Sequence, residues 1–430
     1  MRVYLGSIGC RLNQSELEIL AADLRQAGHE IVASPEKAQA AIINSCTVTN
    51  AAEADSRQLT HKLARAGVEK IFLTGCWASV DHIHSDDLPA NVTLVGNTHK
   101  HAIVRDYFPD TGMAQEEFAA RVPLPGKGRR TRAFIKVQEG CDYFCTFCIT
   151  RIARGKSSSR PLEEILHDIR AAELADVKEI VLTGTQLGGW GKEYDPPQTI
   201  ADLVKIIFTQ SSIPFLRLSS LEPWDINNDF YALLDHPRFC NHLHLPLQSG
   251  CGETLKRMGR KMQPREFARL IASLRAVDPD IAITTDIVVG FPGESKEEFE
   301  ESLEFVRRMH FAGGHVFRYS ARRGTPAASF PNQVDEKERK RRNGVMREVL
   351  KESGIRYRAS FLQKTTQVLW ERARKREEGG WIMEGISTKS MRIRAQADQN
   401  LWNQVSQVKL VEDIGRFVEG LIEQTKDDPL

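Results

Sequence analysis

Short apolar runs alternate along the first 122 residues with segments in which apolar side chains recur every three or four positions. Between the first two runs, the spacing of Leu17, Leu20 and Leu24 predicts an amphipathic helix. The apolar runs themselves predict strands at Arg2–Ile8, Ala40–Ser45, Glu69–Thr74 and Val92–Val95. Strands that alternate with helices usually form one parallel sheet covered by helices. The pattern therefore predicts an α/β fold that begins with an N-terminal open parallel-sheet domain.

A stretch with several prolines, glycines and arginines, residues 109–132, predicts a linker. Beyond it the alternation of strands and helices resumes. Six apolar runs predict strands at Phe134–Val137, Glu179–Thr183, Phe215–Ser219, His242–Leu245, Ile281–Val289 and His315–Tyr319. Six units are fewer than the eight of a complete barrel, so the pattern predicts a central incomplete (β/α)6 barrel. Chemistry in such barrels is expected at the carboxyl ends of the strands.

The last part of the chain changes from alternating elements to strands alone. Residues 335–358 predict one charged helix, and after it five short runs predict strands without helices between them. Five such strands suit a small β-barrel, and barrels of this size often bind RNA. We expect three domains with the bounds 1–122, 123–358 and 359–430.

Composition and charge exclude some classes of protein. The chain has 430 residues with 59 Lys and Arg against 57 Asp and Glu, so its net charge of +2 excludes a chain-wide polycation. A local excess lies at 337–376, which holds 14 Lys and Arg against 4 Glu. Such a patch can bind RNA phosphates, although a charged helix is more often simply solvated. No apolar run is long enough to span a membrane, and the first residues lack a secretory signal, so we expect a cytoplasmic protein.

Three of the eight cysteines lie close together in the segment EGCDYFCTFC. Cys141, Cys145 and Cys148 follow the first predicted barrel strand with the spacing CxxxCxxC. Three thiolates can hold one corner of an iron–sulfur cubane and leave one iron open. The alternative is a zinc site, which would need a fourth ligand that no second CxxC motif supplies.

Three further cysteines are far apart in sequence but equivalent in the predicted fold. Cys10, Cys46 and Cys76 each follow a predicted parallel strand. The carboxyl ends of parallel strands share one edge of a sheet, so the three thiols are expected to meet. The alternative is three buried, unliganded cysteines.

The motifs around both cysteine sets resemble those of the methylthiotransferase family, over nearly the whole chain. In the N-terminal domain they are GCRLNQSE (9–16), NSCTVTNAAEADSR (44–57) and LTGCWA (73–78). In the barrel they are QEGCDYFCTFCI (138–149), LTGTQLGGWG (182–191), HLPLQSG (244–250), TTDIVVGFPGE (284–294) and YSARRGTPAA (319–328). The family carries an RNA-binding TRAM domain where the C-terminal strands lie here. CxxxCxxC with Phe147 before the last cysteine is also similar to the signature of radical S-adenosylmethionine (SAM) enzymes.

The resemblance implies cofactors and a reaction. It implies two [4Fe–4S] clusters, one on Cys141, Cys145 and Cys148 that binds and cleaves SAM, and one on Cys10, Cys46 and Cys76 that carries sulfur. It further implies transfer of a methylthio group to C2 of N6-threonylcarbamoyladenosine at position 37, in the anticodon loop of tRNA. Such an enzyme would be a monomer that depends on a cellular electron donor and a sulfur source. Where the family often has Pro and Tyr, this chain has Arg151 and Ile152.

Other residues and other functions complete the expectations. Five positions are candidate SAM or substrate contacts, namely Phe147, Gly184, Thr185, Gln248 and Asp286. Gln248 and Asp286 are expected at the ends of the fourth and fifth barrel strands. Alternative substrates are isopentenyladenosine in tRNA and an aspartate of a ribosomal protein. A zinc-bearing RNA-binding protein, or a radical SAM enzyme that uses its N-terminal cluster only for electron transfer, would also carry these cysteines.

Overall fold

The computed structural model describes residues 1–80, 88–110 and 131–423. Its first part is a five-stranded parallel sheet with the strand order β2-β1-β3-β4-β5. The elements are β1 (Arg2–Ser7), α1 (Arg11–Gln26), β2 (Glu30–Val32), β3 (Ala40–Ser45), α2 (Asn50–Arg65), β4 (Lys70–Gly75), β5 (Val92–Leu94) and α3 (Ile103–Tyr107). The predicted open parallel sheet is confirmed, and β2 is an edge strand that the sequence pattern did not indicate.

The central strand explains why this sheet forms. Every residue of β3 is buried, as expected for a strand covered by helices on both faces. On one face Leu17, Leu20 and Leu24 of α1 pack into the core, as their spacing predicted. On the other face the core includes Leu63 of α2.

The central part is an incomplete barrel of parallel strands. Its elements are β6 (Arg132–Lys136), β7 (Gln138–Glu139), α4 (Thr150–Arg154), β8 (Ser158–Ser159), α5 (Leu162–Leu174), β9 (Glu179–Thr183), α6 (Ile200–Gln210), β10 (Phe215–Leu218), α7 (Asn228–Tyr231), β11 (His242–His244), α8 (Gly252–Arg257), α9 (Pro264–Val277), β12 (Ala282–Val289), α10 (Lys296–Met309) and β13 (Gly313–Arg318). One sheet has the order β6-β9-β10 and the other β11-β12-β13. Bridges from Leu216 to Phe239 and from Ser220 to His244 join the two sheets. The six-stranded partial barrel is thus confirmed.

The C-terminal part is a closed five-stranded barrel preceded by a long helix. The elements are α11 (Glu336–Ala359), β14 (Thr365–Lys375), β15 (Trp381–Ser387), β16 (Arg392–Ala397), β17 (Val405–Asp413) and β18 (Val418–Ile422). Trp370 is fully buried in its core, so this aromatic side chain supports the barrel and does not face RNA. No helix in the described ranges is long and apolar enough to cross a membrane.

Contacts of two arginines fasten the partial barrel to the C-terminal barrel. The Arg217 guanidinium pairs with Glu179 at 2.8 Å and donates to the carbonyl oxygens of Ser387 and Thr388. Arg132 pairs with Glu371 at 2.8 Å. Arg132 is the last residue of the predicted linker 109–132, but it begins β6, and its charge is used inside the protein. Residues 111–130 of that linker, with the expected boundary between residues 122 and 123, lie outside the described residues.

Candidate functional site

Strand ends bring Cys10, Cys46 and Cys76 together, as the sequence predicted. Cys10 lies at the start of α1 just after β1, while Cys46 and Cys76 directly follow β3 and β4. Gly9 has φ +107°, and an added Cβ there would lie 2.7 Å from the Cβ of Cys46. Gly75 has φ +95°, and a Cβ there would overlap the carbonyl oxygen of Ser45. Glycine is therefore required at both positions for the strand ends to approach.

The N-terminal thiols are held in a protected environment. Cys46 and Cys76 are buried and Cys10 is exposed. Burial raises the pKa of the Cys46 thiol to about 11, and the nearby Cys76 and Cys10 add to this rise. Thiols must lose their protons to bind metal. A bound metal cation would supply the positive charge that stabilises the thiolates in this pocket.

Cys141, Cys145 and Cys148 lie in one loop between the short strand β7 and helix α4. Gly140 has φ +73°, and an added Cβ there would overlap the carbonyl oxygen of Lys156 on the returning chain. The backbone N–H of Cys141 donates to Gly155 at 3.1 Å, and that of Cys148 donates to Cys145 at 3.1 Å. The loop is therefore closed by main-chain hydrogen bonds before any metal is considered.

This loop also has donors aimed at sulfur. The N–H of Tyr143 points at the Cys141 Sγ at 3.4 Å, and Arg260 Nη1 lies 3.6 Å from the Cys145 Sγ. Burial raises the pKa of Cys141 to about 12. The other two thiols and Glu222 add to this rise because they oppose a further negative charge. Burial also raises the pKa of Cys145, although Arg260 acts in the opposite direction.

The donor sets fit iron–sulfur clusters better than single metal ions. In the described part of the chain, no three His, Cys, Asp or Glu side chains converge on one ion position. A structural zinc site takes four protein ligands, and each set offers only three thiols. An iron–sulfur cubane can be held by three thiolates, and sulfur-directed N–H donors are a normal feature of its protein surroundings. The residues present therefore fit the two clusters.

Unpaired polar atoms at the strand ends of the barrel fit a polar cofactor such as SAM. Several buried oxygen atoms have no hydrogen-bond partner among the described residues, and four of them belong to Thr185, Ser219, Asp286 and Ser320. Each lies within or just beyond a different strand, β9, β10, β12 and β13. Buried polar groups normally have partners, so a ligand in the barrel mouth would satisfy them. Sequence reasoning identified Thr185 and Asp286 but missed both serines.

The other candidate contacts lie around the same mouth. Phe147 packs edge to face with Phe291, with ring centroids 6.3 Å apart. Gly184 lies against the Gln138 side chain, which an added Cβ would approach to 2.9 Å. Gln248 has φ +72°, and its N–H donates to the carbonyl oxygen of Asp286 at 2.8 Å.

Asp286 differs from its expected place. It lies in the middle of β12 and not at the end of the strand, because β12 continues to Val289. Its carboxylate is 3.1 Å from His244 Nε2, and the second oxygen is one of the unpaired atoms. The side chain is therefore deeper in the barrel than a residue at the rim.

Two buried arginines of the barrel domain hold the N-terminal domain over this mouth. Arg154 donates to the Cys76 Sγ at 3.2 Å and to Asn13 at 2.7 Å, and it pairs with Glu16 at 2.7 Å. Arg322 donates to Thr47 at 2.6 Å and pairs with Glu53. Both cysteine sets are thereby attached to one interface. Sequence reasoning did not single out either arginine, although Arg322 lies in the motif YSARRGTPAA.

The charged helix α11 is only partly available to a ligand. Arg341 and Arg342 pair with Glu338, and Arg342 also pairs with the buried Glu294 at 2.7 Å. The pair between Arg342 and Glu294 holds the helix on the barrel, whereas the pairs with Glu338 lie within the helix itself. The exposed cations Arg372 and Arg374 on β14 remain as phosphate candidates.

Comparison with known proteins gives two matching family models. Residues 135–306 match the Radical SAM superfamily, and residues 2–96 match the Uncharacterized protein family UPF0004. The first range covers the cysteine loop and most of the partial barrel. The second covers all three N-terminal cysteines.

Curated relatives match nearly the whole length. The threonylcarbamoyladenosine tRNA methylthiotransferase MtaB of Thermotoga maritima is 38% identical over 394 residues, covering 89% of this chain and 88% of that protein. The tRNA-2-methylthio-N(6)-dimethylallyladenosine synthase of Maricaulis maris is 30% identical, with 95% and 94% covered. Among solved structures, the radical SAM methyltransferase TsrM of Kitasatospora setae has a similar fold. Its TM-score is 0.56 at 14% identity, with 76% and 77% of the chains covered.

Proposed function

The chain belongs to the family of tRNA methylthiotransferases, and from this premise we propose how its residues perform that reaction on one nucleoside. The substrate is N6-threonylcarbamoyladenosine at position 37 of tRNA, and the product is its 2-methylthio derivative. The relative with 38% identity bears the name of this activity, whereas the relative named for the dimethylallyl substrate is 30% identical. The chain is accordingly a tRNA-modifying enzyme that uses SAM and two [4Fe–4S] clusters.

One observation carries the proposal, namely that both cysteine sets lie against the same interface. Arg154 follows Cys148 by six residues in the chain and donates to the Cys76 Sγ at 3.2 Å. A group held by the barrel thiols and a group held by the N-terminal thiols therefore face one mouth. Sulfur insertion at an unactivated carbon needs two such groups at one substrate atom.

The residues that would hold the cofactors follow from the geometry. Cys141, Cys145 and Cys148 would hold one cluster, and Cys10, Cys46 and Cys76 the other. Thr185 and Asp286, with Ser219 and Ser320, would satisfy the polar groups of SAM, and Phe147 would supply an apolar wall. When bound, these groups supply the radical and the methylthio group that no side chain can provide.

The protein itself positions and shields the reacting base. Arg154 and Arg322 hold the N-terminal domain against the barrel domain, which would help to exclude water once the substrate is bound. Arg260 and the Tyr143 N–H donate toward sulfur and favour its negative charge. The C-terminal barrel, with exposed Arg372 and Arg374, would contact tRNA phosphates at a distance from the mouth.

The enzyme also needs partners that the comparisons do not name. Reduction of the barrel cluster requires a cellular electron donor, and repeated turnover requires a sulfur source. We propose that it works as a monomer, since both cysteine sets and the RNA-binding barrel belong to a single chain.

The decisive test is nucleoside mass spectrometry after anaerobic turnover. The reaction contains reconstituted enzyme, SAM, a reductant, a sulfur source and tRNA bearing N6-threonylcarbamoyladenosine. We expect the 2-methylthio derivative to form, and we expect Cys46→Ala to cleave SAM without forming it. If wild-type enzyme releases 5′-deoxyadenosine but leaves this nucleoside unchanged, the substrate is wrong. Isopentenyladenosine tRNA and the ribosomal protein then become the next substrates to test.

A further inference from the structure

Three exposed apolar side chains lie on the segments that carry the two cysteine sets. Phe144, between Cys141 and Cys145, is 72% exposed, the largest fraction among the exposed large apolar residues of the described chain. Val48 is exposed two residues after Cys46, and Ile152 is exposed on α4. These exposed apolar groups belong to the segments that carry the ligands of both sites, so they surround the place where the substrate base must enter.

The Phe144 ring is fixed in place despite its exposure. The Arg151 guanidinium carbon lies 3.5 Å from the ring centroid, and Arg151 Nη1 donates to the Asp142 carbonyl oxygen at 3.0 Å. Behind the ring, the N–H of Thr146 donates to the carbonyl oxygen of Met258 at 2.9 Å. The ring and the guanidinium therefore form a small preformed stack that points into solvent.

Several cationic side chains lie near this stack. Lys261 Nζ lies 4.4 Å from the centroid of the Tyr143 ring, next to Phe144 in the chain. Lys156 and Arg323 are exposed, and Arg323 adjoins Gly324, where an added Cβ would lie 3.3 Å from Ile152. An aromatic surface among cations is the surface that an unpaired nucleobase and its phosphates need, because bases stack on aromatic rings and guanidinium planes.

We propose that Phe144 and Arg151 form a stacking platform for an RNA base adjacent to the modified adenosine. The proposal rests on the proposed function and adds how the substrate loop is held open. A base stacked on Phe144 is kept away from its neighbour in the anticodon loop. The target adenosine then loses a stacking partner and can turn into the mouth. Phe144 directly precedes Cys145, so the platform lies next to the barrel cysteines.

Binding and base environment can be measured without catalysis. The probe is an anticodon stem-loop RNA that carries N6-threonylcarbamoyladenosine, with fluorescent 2-aminopurine on its 5′ side in one RNA and its 3′ side in another. With the cluster-loaded enzyme we expect 2-aminopurine quenching on one side of the target. Phe144→Leu should abolish this quenching and weaken binding about 5- to 150-fold, the range expected for loss of one aromatic–base stack.

Three variants make the test specific. Phe144→Trp keeps an aromatic ring and should restore both binding and quenching. Arg151→Met removes the charge but keeps an apolar stem, and should weaken binding less than Phe144→Leu. Leu174→Ala, at a side chain 61% exposed on α5, is the matched control and should bind like wild type. Iron content of the same samples separates lost stacking from loss of the neighbouring cluster.

The outcomes distinguish the two proposals. If wild-type enzyme does not bind this RNA, the substrate and the platform are both wrong. If wild type binds and Phe144→Leu binds equally well, or Leu174→Ala weakens binding as much, only the platform is overturned. If Phe144→Leu leaves RNA binding intact but slows reduction by a protein electron donor, the surface serves that donor and the platform is also overturned.

Discussion

The two cysteine sites reach similar chemistry by opposite routes. The barrel site uses three residues of one eight-residue loop, closed by its own main-chain hydrogen bonds. The N-terminal site uses three strand ends whose cysteines are separated by 36 and 30 positions. A local loop can form its site alone, whereas a site built from a sheet edge depends on the packing of a whole domain. The N-terminal site depends further on Arg154, which the other domain supplies.

The two sites therefore differ in how far they depend on the contact between the two domains. Each set has an arginine directed at sulfur, but Arg154 is fully enclosed in ionic contacts, while the Glu222 partner of Arg260 is partly exposed. The barrel site therefore resembles an independent module that can stay intact when the interface loosens. The N-terminal site is complete only when the two domains are closed on each other.

Removing each set of ligands should give the largest effect and separates the two roles. Replacing Cys141, Cys145 and Cys148 with alanine should abolish SAM cleavage and remove about half of the iron, since each set binds one of two equal clusters. Replacing Cys10, Cys46 and Cys76 should remove a similar share of iron but leave 5′-deoxyadenosine formation. Iron analysis and chromatography of the nucleoside products measure both. If the N-terminal variant also loses SAM cleavage, the sites are not independent.

Arg154→Ala should show the dependence of the N-terminal site on the interface. The change removes the arginine partner of the buried Glu16, which then has only Lys100 and Lys136 beside it. It also removes the Arg154 donor from the Cys76 sulfur. Breaking a buried ion pair costs about 3–5 kcal/mol when the remaining charge has no partner. Because Glu16 keeps Lys100 and Lys136, thermal unfolding of the loaded protein should report a loss near the lower end of this range.

The matched variant for that test is Arg260→Ala at the barrel site. It should cost less, because Glu222 can be solvated when Arg260 is removed. It should also leave the domain interface as resistant to limited proteolysis as in wild type. Equal destabilisation by the two variants would contradict the asymmetry between the sites.

Gly140→Ala should damage the barrel site through backbone geometry. Gly140 and Gly155 both have positive φ, near +73° and +75°, so alanine is strained at either position by about 1–3 kcal/mol. Only at Gly140 would the added Cβ overlap another atom, the carbonyl oxygen of Lys156, whereas nothing lies within 4 Å at Gly155. Gly140→Ala should therefore reduce iron at the barrel site, and Gly155→Ala should retain it. Loss of iron in both variants would attribute the effect to φ alone.

The smallest effect concerns the pH dependence of the interface. Burial, together with nearby Asp168, raises the pKa of Asp23 from 3.8 to about 6. A carboxyl group whose pKa is raised in the folded state stabilises the fold at pH values below its unfolded pKa of 3.8. This stabilisation is lost as the pH rises through about 6. Asp23→Asn should therefore stabilise the protein relative to wild type by about 1–2 kcal/mol at pH 8 and by less at pH 5. Melting curves at both pH values test it, and an equal gain at both would show that Asp23 is not the titrating group.

The sequence predicted those parts of the site in which local pattern and topology agree. Strand ends located Cys10, Cys46 and Cys76, because apolar runs of similar length precede each of them. The CxxxCxxC spacing located the other set, since its geometry is local. Edge strand β2 was missed because its three residues are too short for a recognisable period.

The remaining features depend on distant partners. Arg154 meets Glu16 across 138 positions, and Arg322 meets Thr47 across 275, so no local pattern distinguishes them from other arginines. Ser219 and Ser320 became candidates only when their oxygens proved to be buried without partners. Asp286 was recognised as a residue, but its depth was not, because the end of β12 depends on pairing with β13.

The contact between Arg154 and Cys76 has a consequence for how the enzyme matures. Chains are synthesised from the N-terminus, and domains generally fold in that order. The N-terminal sheet thus leaves the ribosome before the 78 residues that separate Cys76 from its arginine donor are complete. Thr47 and Arg322 are 275 positions apart, so their contact forms later still. We therefore expect the N-terminal thiols to lie in an incomplete site, open to oxidation, until the barrel domain has folded against them.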